Sequence, residues 1–188
     1  MKRIYQLLVL GVLVLLSGCS VYSMIPPGET QIGVLKVDNP ANWSQFKQGD
    51  EVSWTYDGFL LNEVWVDTIK DGQHLFKLKI NEDNKAFVLD SEADLEETFE
   101  LYFDGLIPFG VIEPELISSE PVSISDREGL RFEISYNTSD NLKYRVIGLF
   151  VKDGKSLHRL FCKAPEEYYF PKHEQEFRKI VESARLVI

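Results

Sequence analysis

Residues 144–151, Tyr-Arg-Val-Ile-Gly-Leu-Phe-Val, constrain the fold more than any other stretch of this chain. In an extended strand Val146 and Phe150 point to one side, and Ile147, Leu149 and Val151 to the other. A strand apolar on both sides needs cover on both sides, so it belongs inside a sheet flanked by helices. Its neighbours agree. After Gly129, Phe132, Ile134 and Tyr136 alternate with Arg131, Glu133 and Ser135. Asp153-Gly154 is a hairpin signal that returns the chain through Leu157 to Cys162. Leu116 to Ile124 reads as an edge strand, because Pro121 within it cannot donate to a ladder.

The first half reads as an antiparallel meander followed by a helix. Ile32 to Val37 is a short strand closed by Asn39-Pro40, and Val52, Trp54 and Tyr56 alternate with Glu51, Ser53 and Thr55. Asp57-Gly58 turns the chain into Leu60 to Ile69, and Asp71-Gly72 turns it again into Phe76, Leu78 and Ile80. Ser91 is the expected N-cap of a helix, with Asp94 three residues on. Leu95, Phe99, Tyr102, Phe103 and Leu106 then share one helical face. A second helix opens at Pro171, in its first position, and buries Phe177, Ile180, Val181 and Ala184. Tyr168-Tyr169-Phe170 ahead of it reads as a staple onto the sheet.

The amino terminus carries a different message. Lys2 and Arg3 precede an apolar run from Leu7 to Leu16 broken only by Gly11, a basic start and apolar core typical of export signals. Spanning a bilayer takes about 20 apolar residues, and here polar Ser17, Ser20 and Ser23 follow the run. Leu16-Ser17-Gly18-Cys19 resembles the lipobox of bacterial lipoproteins. That resemblance implies a signal peptide over residues 1–18, cut before Cys19, which then bears a diacylglycerol and an N-acyl chain. Ser20 in place of aspartate implies the outer membrane, facing the periplasm, or the plain cell membrane in a Gram-positive source. Pro26-Pro27-Gly28 interrupts regular structure, so residues 19–30 are expected to form a lipidated cysteine with a flexible tether and 31–188 a single domain.

The chain has a net charge of −10, and cutting before Cys19 removes two bases and no acid, leaving −12. Such a chain is repelled by nucleic acid, which is excluded as a partner. With Cys19 lipidated, Cys162 is alone and no internal disulfide forms.

Gly129-Leu130-Arg131-Phe132, residues 144–150, Asp153-Gly154-Lys155, Ala164-Pro165 and residues 177–183 together resemble one known fold. It is shared by the photosystem II subunit PsbP, a nuclear Ran-release factor and bacterial lipoproteins of the DcrB type. The resemblance implies an α+β class with an antiparallel β-sheet between helices, an α/β/α sandwich. It implies an accessory role and no common catalytic set.

No nucleophile elbow, zinc-protease helix, paired Cys-x-x-Cys or phosphate loop occurs. His74, His158 and His173 fall on separate elements, so no metal site is expected, and Cys162, in phase with Leu160, reads as a small buried hydrophobe. Between Lys85 and Arg127 lie eleven acids and no base. Two readings of that run stay open: a solvated face favoured by the helix dipole, or a docking face for a basic partner or divalent cations, with Glu92, Glu96 and Glu100 as its stripe. The function expected is a non-enzymatic binding or assembly accessory without cofactor, held to the membrane by lipid and working with an envelope protein. The alternative is an envelope hydrolase with dispersed catalytic residues.

Overall fold

The computed structural model describes residues 22–48, 51–77 and 85–187. The fold is α+β, mostly antiparallel sheet with two helices among the described residues. Eight strands make the main sheet. In spatial order they are β1 (Tyr22–Ile25), β4 (Trp43–Gln48), β5 (Glu51–Thr55), β6 (Glu63–Lys70), β10 (Ser156–Pro165), β9 (Lys143–Asp153), β8 (Arg127–Asn137) and β7 (Ile112–Ile124), with every neighbouring pair antiparallel. A second sheet of three strands holds β2 (Gly28–Ile32), β3 (Leu35–Asn39) and β11 (Arg185–Leu186). The helices are α1 (Leu95–Gly105) and α2 (Tyr169–Glu182).

Side-chain alternation sorts two cores onto the two faces of the main sheet. On one, Leu130, Phe132, Ile134, Val146, Phe150, Leu157 and Phe161 pack against Leu95, Phe99, Tyr102 and Leu106 of α1 and its end. On the other, Val52, Trp54, Val64, Val66, Ile147, Leu149, Leu160 and Cys162 pack against Phe170, Phe177, Ile180 and Val181 of α2. The three-stranded sheet joins that second layer through Ile32, Leu35 and Val37. A helix about 10 Å wide covers roughly two strands spaced about 4.8 Å apart. Covering half of an eight-stranded face therefore needs more than α2, and the extra sheet supplies it. The cover expected from helices alone is in fact a helix plus a sheet.

Several sequence expectations shift. Residues 22–30 are not a tether: Tyr22–Ile25 pairs with Trp43–Phe46 as an edge strand, and Gly28–Ile32 pairs with β3. Pro26-Pro27 marks only the passage between the two sheets. The single strand expected over Ile32 to Val37 is a hairpin, turned at Gly33-Val34 with Gly33 at φ 59°. Leu60 lies in the turn before β6 rather than in the strand. Phe76 is in a bend, and Leu78 and Ile80 lie outside the described residues, as do residues 1–21 with the lipobox. The α1 N-cap is Asp94, not Ser91: Asp94 accepts from the Glu97 N–H at 2.8 Å, and the Glu97 carboxylate accepts from the Asp94 N–H at 3.3 Å, a complete capping box. Helix α2 starts two residues earlier than expected, and Pro171 still sits in its first turn, where no N–H is required. β7 is the edge strand, paired on one side only and interrupted by two register shifts.

One glycine is fixed by packing. A Cβ on Gly148 would meet the Phe132 ring at 2.2 Å, so its absence lets that ring lie flat across the strand.

Candidate functional site

Across the α1 face, one row of directly paired residues runs Phe46, Ser53, Trp65, Phe161, Gly148, Phe132 from β4 to β8. Helix α1 lies over the Phe161–Phe132 end of this row, with Phe99 4.7 Å from the Phe132 ring and Tyr102 5.8 Å from the Phe161 ring. It does not reach Ser53 and Trp65. Two adjoining hollows open there. The first, of about 250 Å³, lies between β6, β10, the bend at residues 75–77 and the α1 end. The second, of about 200 Å³, is lined by Glu51, Ser53, Glu63, Trp65 and Lys163. Trp65 and Glu51 border both.

The wall of the first hollow is a chain of stacked rings. Trp65 lies 4.3 Å over Phe161, and Phe76 stacks at 5.2 Å on Tyr102 and at 4.2 Å on Phe109. Below them is a buried ion pair. Asp67 and Arg159 are direct cross-strand partners, their side chains only 3% and 5% exposed. Arg159 donates from Nε at 2.8 Å and Nη2 at 2.7 Å to the two Asp67 oxygens, and from Nη1 at 2.6 Å to the Leu75 carbonyl. Its guanidinium also sits 5.5 Å over Phe161 and 5.9 Å over Tyr102. Lys77 reaches Glu51 at 2.5 Å and Asp67 at 3.6 Å, and Lys163 reaches Glu63 at 3.0 Å while covering the Trp65 ring at 4.9 Å. Each cation is therefore paired. Burial pushes the Tyr102 phenol well above the ordinary tyrosine value, only partly offset by Arg159, so the hydroxyl keeps its proton.

Little of the chemistry sought in the sequence meets here. His74 forms an isolated bridge to Val88, away from the other histidines. His158 contacts the Thr68 hydroxyl at 2.9 Å on the opposite face, and burial holds its pKa below the ordinary value despite Asp153. His173, on α2, is buried between Asp57 at 2.7 Å and Glu176 at 2.9 Å. Cys162 is fully buried in the α2-side core, where it packs as a small hydrophobe, and burial raises its thiol pKa. Among the described residues no group of three histidine, cysteine or carboxylate side chains could hold a metal ion.

The acidic stripe does not assemble as drawn. Glu96 and Glu100 are exposed on α1, but Glu92 lies in the turn ahead of the Asp94 cap, off the helix. On β7, Glu113, Glu115 and Glu120 accept from Asn137 at 3.1 Å, Ser135 at 3.3 Å and Arg131 at 2.8 Å. Part of the acidic run is thus absorbed by β8. Sequence reasoning missed the groove, although one signal was there: Asp67 and Arg159 are opposite charges each flanked two residues away by apolar side chains, Trp65 and Ile69 for the one and Leu157 and Phe161 for the other.

No protein-family model matches the chain, and no curated protein is similar to it in sequence. Solved structures do match in shape. Mog1, solved as a point mutant, superposes with a TM-score of 0.55 at 9% identity, over 88% of this chain and 96% of that one. Cyanobacterial PsbP (CyanoP) from Synechocystis sp. PCC 6803 matches at 0.45 and 12% identity, over 89% and 83%. LpqN of Mycobacterium tuberculosis, described as involved in cell envelope biogenesis, matches at 0.43 and 8% identity, over 89% and 92%. The chain also spans half the length of a matching chain from Bacteroides thetaiotaomicron. The likeness to Mog1 is one of fold: an α+β domain of the kind that residues 129–185 resemble.

Proposed function

We propose that this protein is a lipid-anchored envelope protein, a non-enzymatic binding accessory built on a PsbP-like sandwich, with the groove beside Trp65 as its recognition face. The observation that carries the binding reading is the groove itself, an aromatic wall over a buried Arg159–Asp67 pair in which each cation has its counter-charge. Such a neutralised surface suits recognition; proton transfer wants a group left poised between states. The anchoring rests on Leu16-Ser17-Gly18-Cys19. On this reading residues 1–18 are removed and Cys19 carries the diacylglycerol and N-acyl chain. Ser20 directs the protein to the outer membrane, facing the periplasm. No cofactor takes part, and the partner is another envelope protein. Two or more acyl chains hold stably where one anchors only marginally.

The anchor is tested by metabolic labelling with a fatty acid. Wild-type protein takes the label and fractionates with membranes, and Cys19→Ala takes none and keeps its signal. Label on the Cys19→Ala variant would overturn the lipoprotein reading.

A further inference from the structure

We propose that His173 is a proton-operated latch. With both ring nitrogens protonated it holds Glu176 and Asp57 together across the start of α2, and with one proton gone it lets Glu176 swing into solvent. The inference rests on neither the anchor nor the groove.

The ring stands between two carboxylates from two different elements. Nε2 lies 2.7 Å from Asp57, in the turn after β5, and Nδ1 lies 2.9 Å from Glu176, three residues further along α2. An ionised carboxylate accepts hydrogen bonds and cannot donate them, so both contacts are hydrogen bonds only if both nitrogens carry protons. Imidazolium meets that condition. A neutral ring has one N–H, and its other nitrogen sets a lone pair against an oxygen anion. The histidine side chain is only 4% exposed, so little water reaches it to separate the two.

Packing fixes the ring in place. Trp43 of β4, Tyr56 of the turn and Phe177 of α2 lie 6.1, 5.6 and 6.0 Å from it, centroid to centroid. The charged groups that face it are Asp57, Glu176 and Lys172, which donates to both Asp57 oxygens at 2.8 and 2.7 Å. Tyr56 is the other titratable neighbour. With imidazolium, two positive charges meet two negative ones. With a neutral ring, one carboxylate is in excess. Histidine is the side chain that ordinarily makes this change between about pH 5 and pH 8.

Mobility decides which carboxylate leaves. Asp57 is held by Lys172, and its main-chain N–H donates to the Asn62 side chain at 3.0 Å. That turn is closed by the Leu61 and Asn62 N–H groups on the Gly58 carbonyl. The Glu176 side chain is 31% exposed, and His173 is its one partner among the described residues. Glu176 therefore yields, and the neutral ring keeps its proton on Nε2, facing Asp57. The turn is then tied to α2 by Lys172 and an uncharged N–H, and α2 presents one more free carboxylate.

The test is nitrogen NMR of the full chain in detergent with labelled histidine rings, the His173 signals being those missing from His173→Gln. From about pH 5.5 to about pH 9 the wild type is expected to pass from two protonated ring nitrogens to one, on Nε2. Thermal midpoints give a second reading. Glu176→Gln offers Nδ1 a partner that can either accept or donate. It is expected to melt about 2–4 °C below wild type at the acid end and level with it or above at the alkaline end. Three results would each overturn the latch: a ring whose charge is the same at both ends of the range, a neutral ring protonated on Nδ1, or a midpoint gap that does not change with pH.

Discussion

The two faces of the main sheet are covered to different extents. Opposite α1, the α2 helix and the three-stranded sheet together close the surface from β5 to β9, and Trp43, Trp54, Phe170 and Phe177 are all fully buried there. On the α1 face, among the described residues, a single helix serves β8, β9 and β10, and the stretch over β5 and β6 is bordered by Trp65, the bend at residues 75–77 and the two hollows. The two sides also differ in composition, valine and isoleucine dominating the closed one and leucine and phenylalanine the open one. Their difference shows how an α+β domain makes room for recognition without a dedicated loop. One layer is simply narrower than the sheet it covers.

The same kind of truncation on each side separates the two faces most sharply. Phe177→Ala on the closed face is expected to cost about 3–5 kcal/mol, as buried aromatic truncations do. Trp65→Ala on the open face, half-buried and without a void to leave behind, should cost only about 1 kcal/mol. Urea midpoints measure both, and equal losses would mean that the groove is as closed as the opposite core.

A second substitution addresses the ion pair at the base of the groove. Arg159→Met leaves the Asp67 carboxylate 3% exposed with Lys77, at 3.6 Å, as the one cation left to answer it among the described residues. Removing one partner of a buried pair typically costs about 3–5 kcal/mol, and replacing both is often near neutral. The double variant Asp67→Leu with Arg159→Met should therefore recover most of the loss in the same denaturation assay. If the double variant is no more stable than the single one, the pair is holding local structure by its shape and not by its charge balance.

The smallest effect lies on the closed side. Burial disfavours the Asp57 charge, but hydrogen bonds from Lys172 at 2.7 Å and His173 at 2.7 Å outweigh it and hold the carboxyl below the ordinary aspartate value of 3.8. A depressed folded-state value contributes stability above the unfolded value, and that contribution disappears as pH falls through the folded one. Asp57→Asn is expected to lose under about 1 kcal/mol at neutral pH, with the gap to wild type closing below pH 3.8. A gap that stays constant down to acid unfolding would place the contribution of Asp57 in packing.

Much of this was legible in the residues. The alternation in β8, β9 and β10 assigned their faces correctly, down to Val146 and Phe150 on one side and Leu149 and Val151 on the other, because hydrophobic period two leaves no second register for so apolar a strand. The N-terminal hairpin and β1 were not legible. Four- and five-residue strands contain too few alternations, and Pro26-Pro27-Gly28 looks the same at a passage between sheets as in a tether. The cap moved by three residues because Ser91 and Asp94 both carry capping side chains, and only Asp94 has a glutamate at the third position after it to complete the box. The groove needed tertiary pairing: Asp67 and Arg159 are 92 residues apart and meet only through the β6–β10 register.

Strand β1 begins at Tyr22, three residues after Cys19. Three residues reach at most about 10 Å, so if Cys19 carries lipid as proposed, the domain would be moored, not leashed. The end of the sheet where β1 starts, β4 finishes and β5 starts would then lie near headgroup height. The opposite end, with exposed Leu60, Leu142 and Tyr168, would face away from the bilayer. On the proposed reading a mooring this short would narrow the headings open to the domain as well as its place, so a partner would meet the end away from the bilayer more readily than the end beside it.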